Sequence, residues 1–224
     1  MRNLAILGST GSIGSSTLDV VKSNPGMFDI QLLAAKSNHP LLLEQIKLFK
    51  PNFIYLEDES SFISIKDAIK DIDQSLEVIN KEKDLLSLIS SNIIDTVVAA
   101  VVGIAGLNGV EAALSSGKRV LLANKESYVV AGEYLNKICK ENGGLIIPLD
   151  SEHSAIHQCL SRGNQKEKAS RIILTGSGGP FLNKKKTDLA NVTMEEAINH
   201  PIWTMGRKIS VDSSTLMNKG LELI

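Results

Sequence analysis

The stretch Leu4-Ala5-Ile6-Leu7-Gly8-Ser9-Thr10-Gly11-Ser12-Ile13-Gly14-Ser15 decides the fold. An aliphatic run ends in glycines at positions 8, 11 and 14, and a helix-period segment, 15–22, follows at once. Glycines three apart suit a chain that must turn tightly and approach a pyrophosphate closely. The helix start behind them offers N–H donors and a partial positive charge. Alone, the stretch is weak evidence, because a plain tight βα turn is the alternative. Its setting, strand before and helix after, is the context that nucleotide binding demands.

Outward from this point, aliphatic runs at 30–35, 52–55, 76–79, 95–102, 119–123 and 145–149 alternate with helix-period segments. That alternation predicts a parallel sheet of βαβ units. The run at 95–102 is almost wholly apolar, as in a central strand covered on both faces. After about residue 150 hydroxyls, glycines and a lysine run at 184–186 interrupt shorter elements. There 171–175 and 208–211 read as strands. Residues 193–199 read as a helix opened by a capping box of Thr193 and Glu196. A last helix from near Thr215 is cut by the chain end, so the chain reads as incomplete. The expected fold class is α/β: a Rossmann-like parallel sheet over residues 1–149, followed by an incomplete α+β catalytic domain over 150–224.

At 224 residues, 43% hydrophobic and 22% charged, the composition is ordinary globular, which excludes disorder, collagen and coiled coil. Lys and Arg number 24 against 25 Asp and Glu, a net charge of -1. No overall basic field is available for a nucleic-acid backbone or an anionic membrane, so any phosphate specificity must be local. Neither nucleic acid nor membrane is an expected partner. The run at 96–102 is far short of the roughly 20 residues that span a bilayer, and the N-terminus carries no secretory or transit signal. Cys139 and Cys159 have no CxxC partner, which points to a reduced, cytoplasmic setting.

An NAD site usually carries an acid about 20 residues past the glycines. Here Lys36, Ser37 and Asn38 stand at that place. A cation, a hydroxyl and an amide receive a 2′-phosphate that a carboxylate would repel, which favours NADPH; a solvated loop is the plain alternative. Asn124-Lys125-Glu126-Ser127 follows another strand, where open parallel sheets place ligands, although Lys125 and Glu126 also fit a surface ion pair. Asp150 and Glu152 end the next strand, two residues apart, so on an extended chain they point the same way. Paired carboxylates without cysteine suit a hard cation, Mg2+ or Mn2+. His153 and His157 have the spacing of a zinc pair on a helix, or are core or supporting histidines.

Gly176-Ser177-Gly178-Gly179 and Ser213-Ser214-Thr215 with Asn218 and Lys219 are two loops shaped to bind anions, or linkers; together they suggest a small phosphorylated substrate. Trp203, between them, is either core or part of a lid.

Taken in order, GSTGSIGSSTLDVV (8–21), LANKES (122–127), PLDSEHSAI (148–156), LTGSGGPF (174–181) and HPIWTMGRKISVDSSTLMNKGLELI (200–224) resemble the 1-deoxy-D-xylulose 5-phosphate reductoisomerases. The resemblance implies an NADPH- and divalent-metal-dependent oxidoreductase that rearranges and reduces its substrate to 2-C-methyl-D-erythritol 4-phosphate, in non-mevalonate isoprenoid biosynthesis. It implies cofactor contacts from Thr10, Gly11, Ser12, Ile13, Asn38, Asn124, Glu126 and Gly206. Asp150, Glu152 and Glu222 would hold the metal. Lys125, Ser151, Glu152, Ser177, His200, Ser213, Asn218 and Lys219 would hold the substrate, with Ser177, Ser213, Asn218 and Lys219 near its phosphate. Lys125 would stabilise developing negative charge beside the metal, and Trp203 and Met205 would lie on a loop that closes over the site. Family members carry more chain, including the sheet portion that forms a homodimer. This chain is therefore expected to be C-terminally truncated, with dimer and turnover in question. The rivals are an inactive nucleotide-binding fragment and an NADP-dependent dehydrogenase of the semialdehyde or homoserine type, which would need no metal.

Overall fold

The computed structural model describes residues 1–69, 75–162, 169–201 and 206–224. Trp203 and Met205, assigned to a closing loop by sequence, lie outside them. The chain divides into two compact units, Met1–Asp150 and Ser151–Ile224.

The first unit is a sheet of seven parallel strands: β1 (Arg2–Leu7), β2 (Phe28–Ala35), β3 (Phe53–Leu56), β4 (Glu77–Ile79), β5 (Thr96–Ala99), β6 (Arg119–Leu122) and β7 (Leu145–Pro148). Their order across the sheet is β4-β3-β2-β1-β5-β6-β7. The helices that return the chain are α1 (Ser12–Ser23), α2 (His39–Phe49), α3 (Glu59–Ala68), α4 (Glu82–Ser90), α5 (Leu107–Ser115) and α6 (Lys125–Asn142). Because side chains alternate along a strand, β1 sends Ala5 and Leu7 to one face and Ile6 to the other, and β5 divides Val97 and Ala99 from Val98 in the same way. One face packs on Leu88, Val110, Leu114 and Leu135. The other packs on Leu18, Leu42, Ile46 and Ile65. Both central strands are thus buried on two sides, which is why they read as unbroken aliphatic runs.

The order reverses between β1 and β5, and such a reversal opens a crevice outside the carboxyl ends of the strands. The glycine turn lies at that point. Gly8 takes φ +83°, and a Cβ on it would lie 2.6 Å from the Ala100 carbonyl oxygen. A Cβ on Gly14 would lie 2.3 Å from the Gly8 oxygen. The turn is therefore possible only because both residues lack a side chain.

The second unit contains α7 (Ser151–Arg162), α8 (Met194–Ile198), α9 (Arg207–Ser214) and α10 (Met217–Leu223), with a short 3-10 turn at Lys186–Asn191. The expected capping box is present: Thr193 Oγ1 accepts from the Glu196 N–H at 3.2 Å, and Glu196 Oε2 accepts from the Thr193 N–H at 2.9 Å. The two strands expected here are not. Residues 171–175 have no regular structure, and Ile172 and Ile173 are 58% and 69% exposed. A β-branched run needs a partner strand to satisfy its backbone groups; among the described residues none pairs with this one. Residues 208–211 belong to α9, held by a Lys208–Asp212 pair at 2.8 Å four residues apart. A four-residue alternation is too short to separate period 2 from period 3.6.

Candidate functional site

In the first unit the expected cofactor residues collect along the carboxyl edge of the sheet. The Gly8 and Ser9 N–H groups both donate to the Ala34 carbonyl at 2.9 Å, tying the end of β1 to β2. The turn at Thr10–Ile13 therefore lies beside the exposed Lys36, Ser37 and Asn38 that follow β2. Among the described residues no side chain caps the N-terminus of α1, whose N-cap is Gly11; its first N–H groups have no helical partner and lie with the exposed Ser12 and Ile13. Gln45, absent from the sequence reading, is buried on α2 and donates its amide to the Ser9 carbonyl at 3.0 Å. Its signal was a polar residue inside the apolar stripe of Leu42 and Ile46.

Asn38 caps α2, accepting from the Leu41 N–H. Asn124 is 2% exposed and more heavily committed. Its amide donates to the carbonyls of Val101 (2.7 Å) and Gly103 (2.6 Å), while its oxygen accepts from the Ser127 N–H and hydroxyl. It is the N-cap of α6, so Lys125 and Glu126 open a helix rather than end a loop. Asparagine before a helical run is a capping signal. Lys125 Nζ pairs with Asp150 at 2.6 Å, both side chains close to nine-tenths buried.

The second unit holds the rest. Glu152 lies in the first turn of α7, so the extended-chain argument for aligning it with Asp150 does not apply. Within the second unit the fold brings Glu152 together with Glu222, from α7 and α10. The Lys219 ammonium donates to both carboxylates. Ser151 Oγ donates to the other Glu152 oxygen and Asn218 Nδ2 to the other Glu222 oxygen, at 2.6 Å. Glu222 is 7% exposed. Burial pushes the Glu152 carboxyl up, but the hydrogen bonds from Lys219 and Ser151 and the lysine charge outweigh it and bring the group down to about 2. Burial likewise pushes Lys219 down, and its two carboxylate partners more than reverse this, leaving it above its ordinary value. His153 Nε2 donates to the Glu222 carbonyl at 3.0 Å, which makes it a support for α10.

A small cleft in the same unit is lined by Gly176, Ser177, Gly178, Ser213, Leu216, Asn218 and Lys219. Four residues expected near a phosphate share it. Gly178 and Gly179 take φ +82° and +65°, exposing backbone in the manner of an anion-binding turn. Leu216, also at positive φ (+60°), makes the sharp corner between α9 and α10 that sets Ser213 and Asn218 in one wall. A leucine in that region is strained, and strain of this kind gathers at functional sites; sequence offered no sign of it. His200 Nε2 lies 3.1 Å from Ser177 Oγ. Gly206 is the exposed N-cap of α9.

The model of the 1-deoxy-D-xylulose 5-phosphate reductoisomerase family matches residues 4–132, and that of the family's C-terminal domain matches 146–224. The enzyme of that name from Caldanaerobacter subterraneus is 49% identical over all of this chain and 57% of its own length. The one from Shewanella halifaxensis is 47% identical over 59% of its length. Among solved structures, a reductoisomerase in complex with NADPH, fosmidomycin and magnesium superposes with a TM-score of 0.92 at 41% identity, across the whole chain and 57% of its own. The Zymomonas mobilis enzyme in complex with NADPH gives 0.87 at 39%. The chain thus spans a little under three-fifths of these relatives' length. With a family model on each side of residue 140, and a topology and motif order common to both, the chain belongs to the 1-deoxy-D-xylulose 5-phosphate reductoisomerase family.

Proposed function

We propose that this chain carries the cofactor, cation and substrate sites of an NADPH-dependent reductoisomerase that converts 1-deoxy-D-xylulose 5-phosphate to 2-C-methyl-D-erythritol 4-phosphate. Residues 1–149 are the NADPH-binding domain and 150–224 the catalytic part. The observation that carries the reading is that Lys219 belongs at once to a carboxylate pair and to a hydroxyl- and glycine-lined cleft, the two features a phosphorylated, metal-chelating substrate requires.

The residues fit both groups. The glycine cradle and the uncapped start of α1 suit a pyrophosphate, with Thr10, Gly11, Ser12 and Ile13 around it. Lys36, Ser37 and Asn38 receive the 2′-phosphate, and Asn124, Glu126 and Gly206 complete the cofactor contacts. Asp150, Glu152 and Glu222, the residues that the resemblance assigns to the metal, all offer carboxylate oxygens, the donor class suited to Mg2+ or Mn2+. When bound, the cation supplies Lewis acidity toward the substrate's oxygens and the nicotinamide supplies hydride. The chain's own residues bind and orient. Ser177, Ser213, Asn218 and Lys219 hold the phosphate, Ser151 and His200 the sugar, and Lys125 offers a charge-assisted donor to a developing negative oxygen. A homodimer and a cytoplasmic setting, the latter supported by the free thiols of Cys139 and Cys159, belong to the same proposal.

Substrate-dependent loss of NADPH absorbance, with and without Mg2+, tests the reading. It predicts consumption only with the cation present and NADPH strongly preferred to NADH. Cation-independent turnover, or equal affinity for the two nucleotides, would overturn it.

A further inference from the structure

The four carboxylate oxygens of Glu152 and Glu222 are each met by a hydrogen-bond donor: Lys219 on one oxygen of both, Ser151 on the second oxygen of Glu152, Asn218 on the second oxygen of Glu222. All three donors are residues to which the proposed function gives the substrate. Ser151 has a single O–H, and Lys219 already directs two of its three N–H donors to the carboxylates, so substrate and carboxylates draw on the same groups. A lysine ammonium between two carboxylates also leaves the cluster one negative charge in excess, so a divalent cation remains electrostatically favoured there.

We propose that Lys219, with Ser151 and Asn218, holds the place of the cation: a divalent ion that takes the Glu152 and Glu222 oxygens releases Lys219 and Asn218 to the anion cleft of Ser177 and Ser213, and Ser151 to the sugar. The inference rests on the proposed function for the identity of the sites and adds how they are linked. Three features carry it. Lys219 lines the cleft while donating to the carboxylates, so its four-carbon stem needs only to rotate at its end. A Cβ on Gly176 would lie 3.1 Å from Lys219 Cε, so the loop that walls the cleft leaves room for that stem because it has no side chain there. Asn218 and Lys219 sit on the short helix α10 together with Glu222, so occupation of Glu222 acts on both neighbours directly. No large movement is needed.

The consequence is reciprocal: a cation that frees Lys219 strengthens anion binding, and an anion that captures Lys219 strengthens cation binding by the same factor. Lys219 is then also a competitor of the cation, so removing it should tighten cation binding. A lysine that served only the phosphate would do neither.

The test uses the whole chain, Mn2+ followed by the loss of its free electron-paramagnetic signal, and methylphosphonate as a probe too small to chelate the metal as a substrate would. In the unaltered chain, methylphosphonate should tighten Mn2+ binding several-fold, a measurement that requires no variant. In Lys219→Met, Mn2+ should bind more tightly than in the parent and no longer respond to methylphosphonate, whereas Lys219→Arg, which keeps the cation between the carboxylates, should not gain Mn2+ affinity. Mn2+ binding indifferent to methylphosphonate in the parent, or weaker in Lys219→Met with the unit still folded by circular dichroism, would overturn the linkage and leave the proposed function standing. No Mn2+ binding by the parent at all would overturn both.

Discussion

The two units build their sites from opposite materials. Around Gly8–Gly14 the decisive contacts are backbone on backbone: the Gly8 and Ser9 amides on the Ala34 carbonyl, and a Gly14 so close to the Gly8 and Ser9 backbone that a Cβ would collide with it. Around Lys219 they are side chain on side chain, with charged groups from α7 and α10 satisfying one another. A backbone site is fixed by what residues lack and tolerates no added atom. A side-chain site is fixed by charge balance and can exchange partners. The first should break under small steric changes and the second under changes of charge.

The largest effect should come from Gly14→Ala. The new Cβ would meet backbone atoms of Gly8 and Ser9 at 2.3 to 2.6 Å, and backbone cannot swing aside as a side-chain tip can. We expect a loss on the order of 2–4 kcal/mol, as for overpacking at a site that cannot relax, with NADPH affinity falling beyond measurement by fluorescence titration. A stable, NADPH-binding Gly14→Ala chain would mean that the turn is softer than its contacts indicate.

A smaller, local effect should follow pH in the first unit. Asp58 caps α3, and hydrogen bonds from the Ser60 hydroxyl and the Ser61 N–H bring its carboxyl from 3.8 down to about 2. Because the folded value is the lower one, this contribution is complete above 3.8 and is lost as pH falls toward 2. Amide protection at the start of α3 should decline through that window, and Asp58→Asn should abolish the pH dependence while leaving NADPH affinity unchanged at neutral pH.

The smallest effect is expected of Gly206→Ala. A Cβ there meets nothing within 4 Å, and φ is an ordinary -60°. Melting should shift by no more than about 0.5 kcal/mol. A large loss of NADPH affinity would instead reveal that the cofactor itself needs the space at that glycine.

The same contrast explains how much could be read in the sequence. The sheet was legible because buried parallel strands are continuous aliphatic runs and a βα turn against a crevice needs glycines at fixed intervals. Each is a local property of the chain. In the second unit the chemistry-bearing residues could be named, but their partners could not. That Lys219 reaches Glu152, 67 positions away, depends on how α7 and α10 pack, and no local pattern encodes it. The exposed Ile172 and Ile173 misled for the related reason that β-propensity measures a fit to neighbours, and among the described residues no strand pairs with them. Asn124 shows the limit from the other side. Its place after a strand suggests a ligand contact, and nothing in the pattern disclosed that its buried amide also holds the loop at Val101 and Gly103 and starts α6.

The most direct test of two sites built in different ways is a crossed titration of Glu222→Gln with Mn2+ and NADPH. The substitution keeps the size of the side chain and removes its charge from a buried position. We predict that Mn2+ affinity falls at least about tenfold, a cost of about 1.4 kcal/mol, while NADPH affinity stays within about twofold of the parent, a range under half that energy. A parallel loss of both, or unchanged Mn2+ binding, would contradict the account.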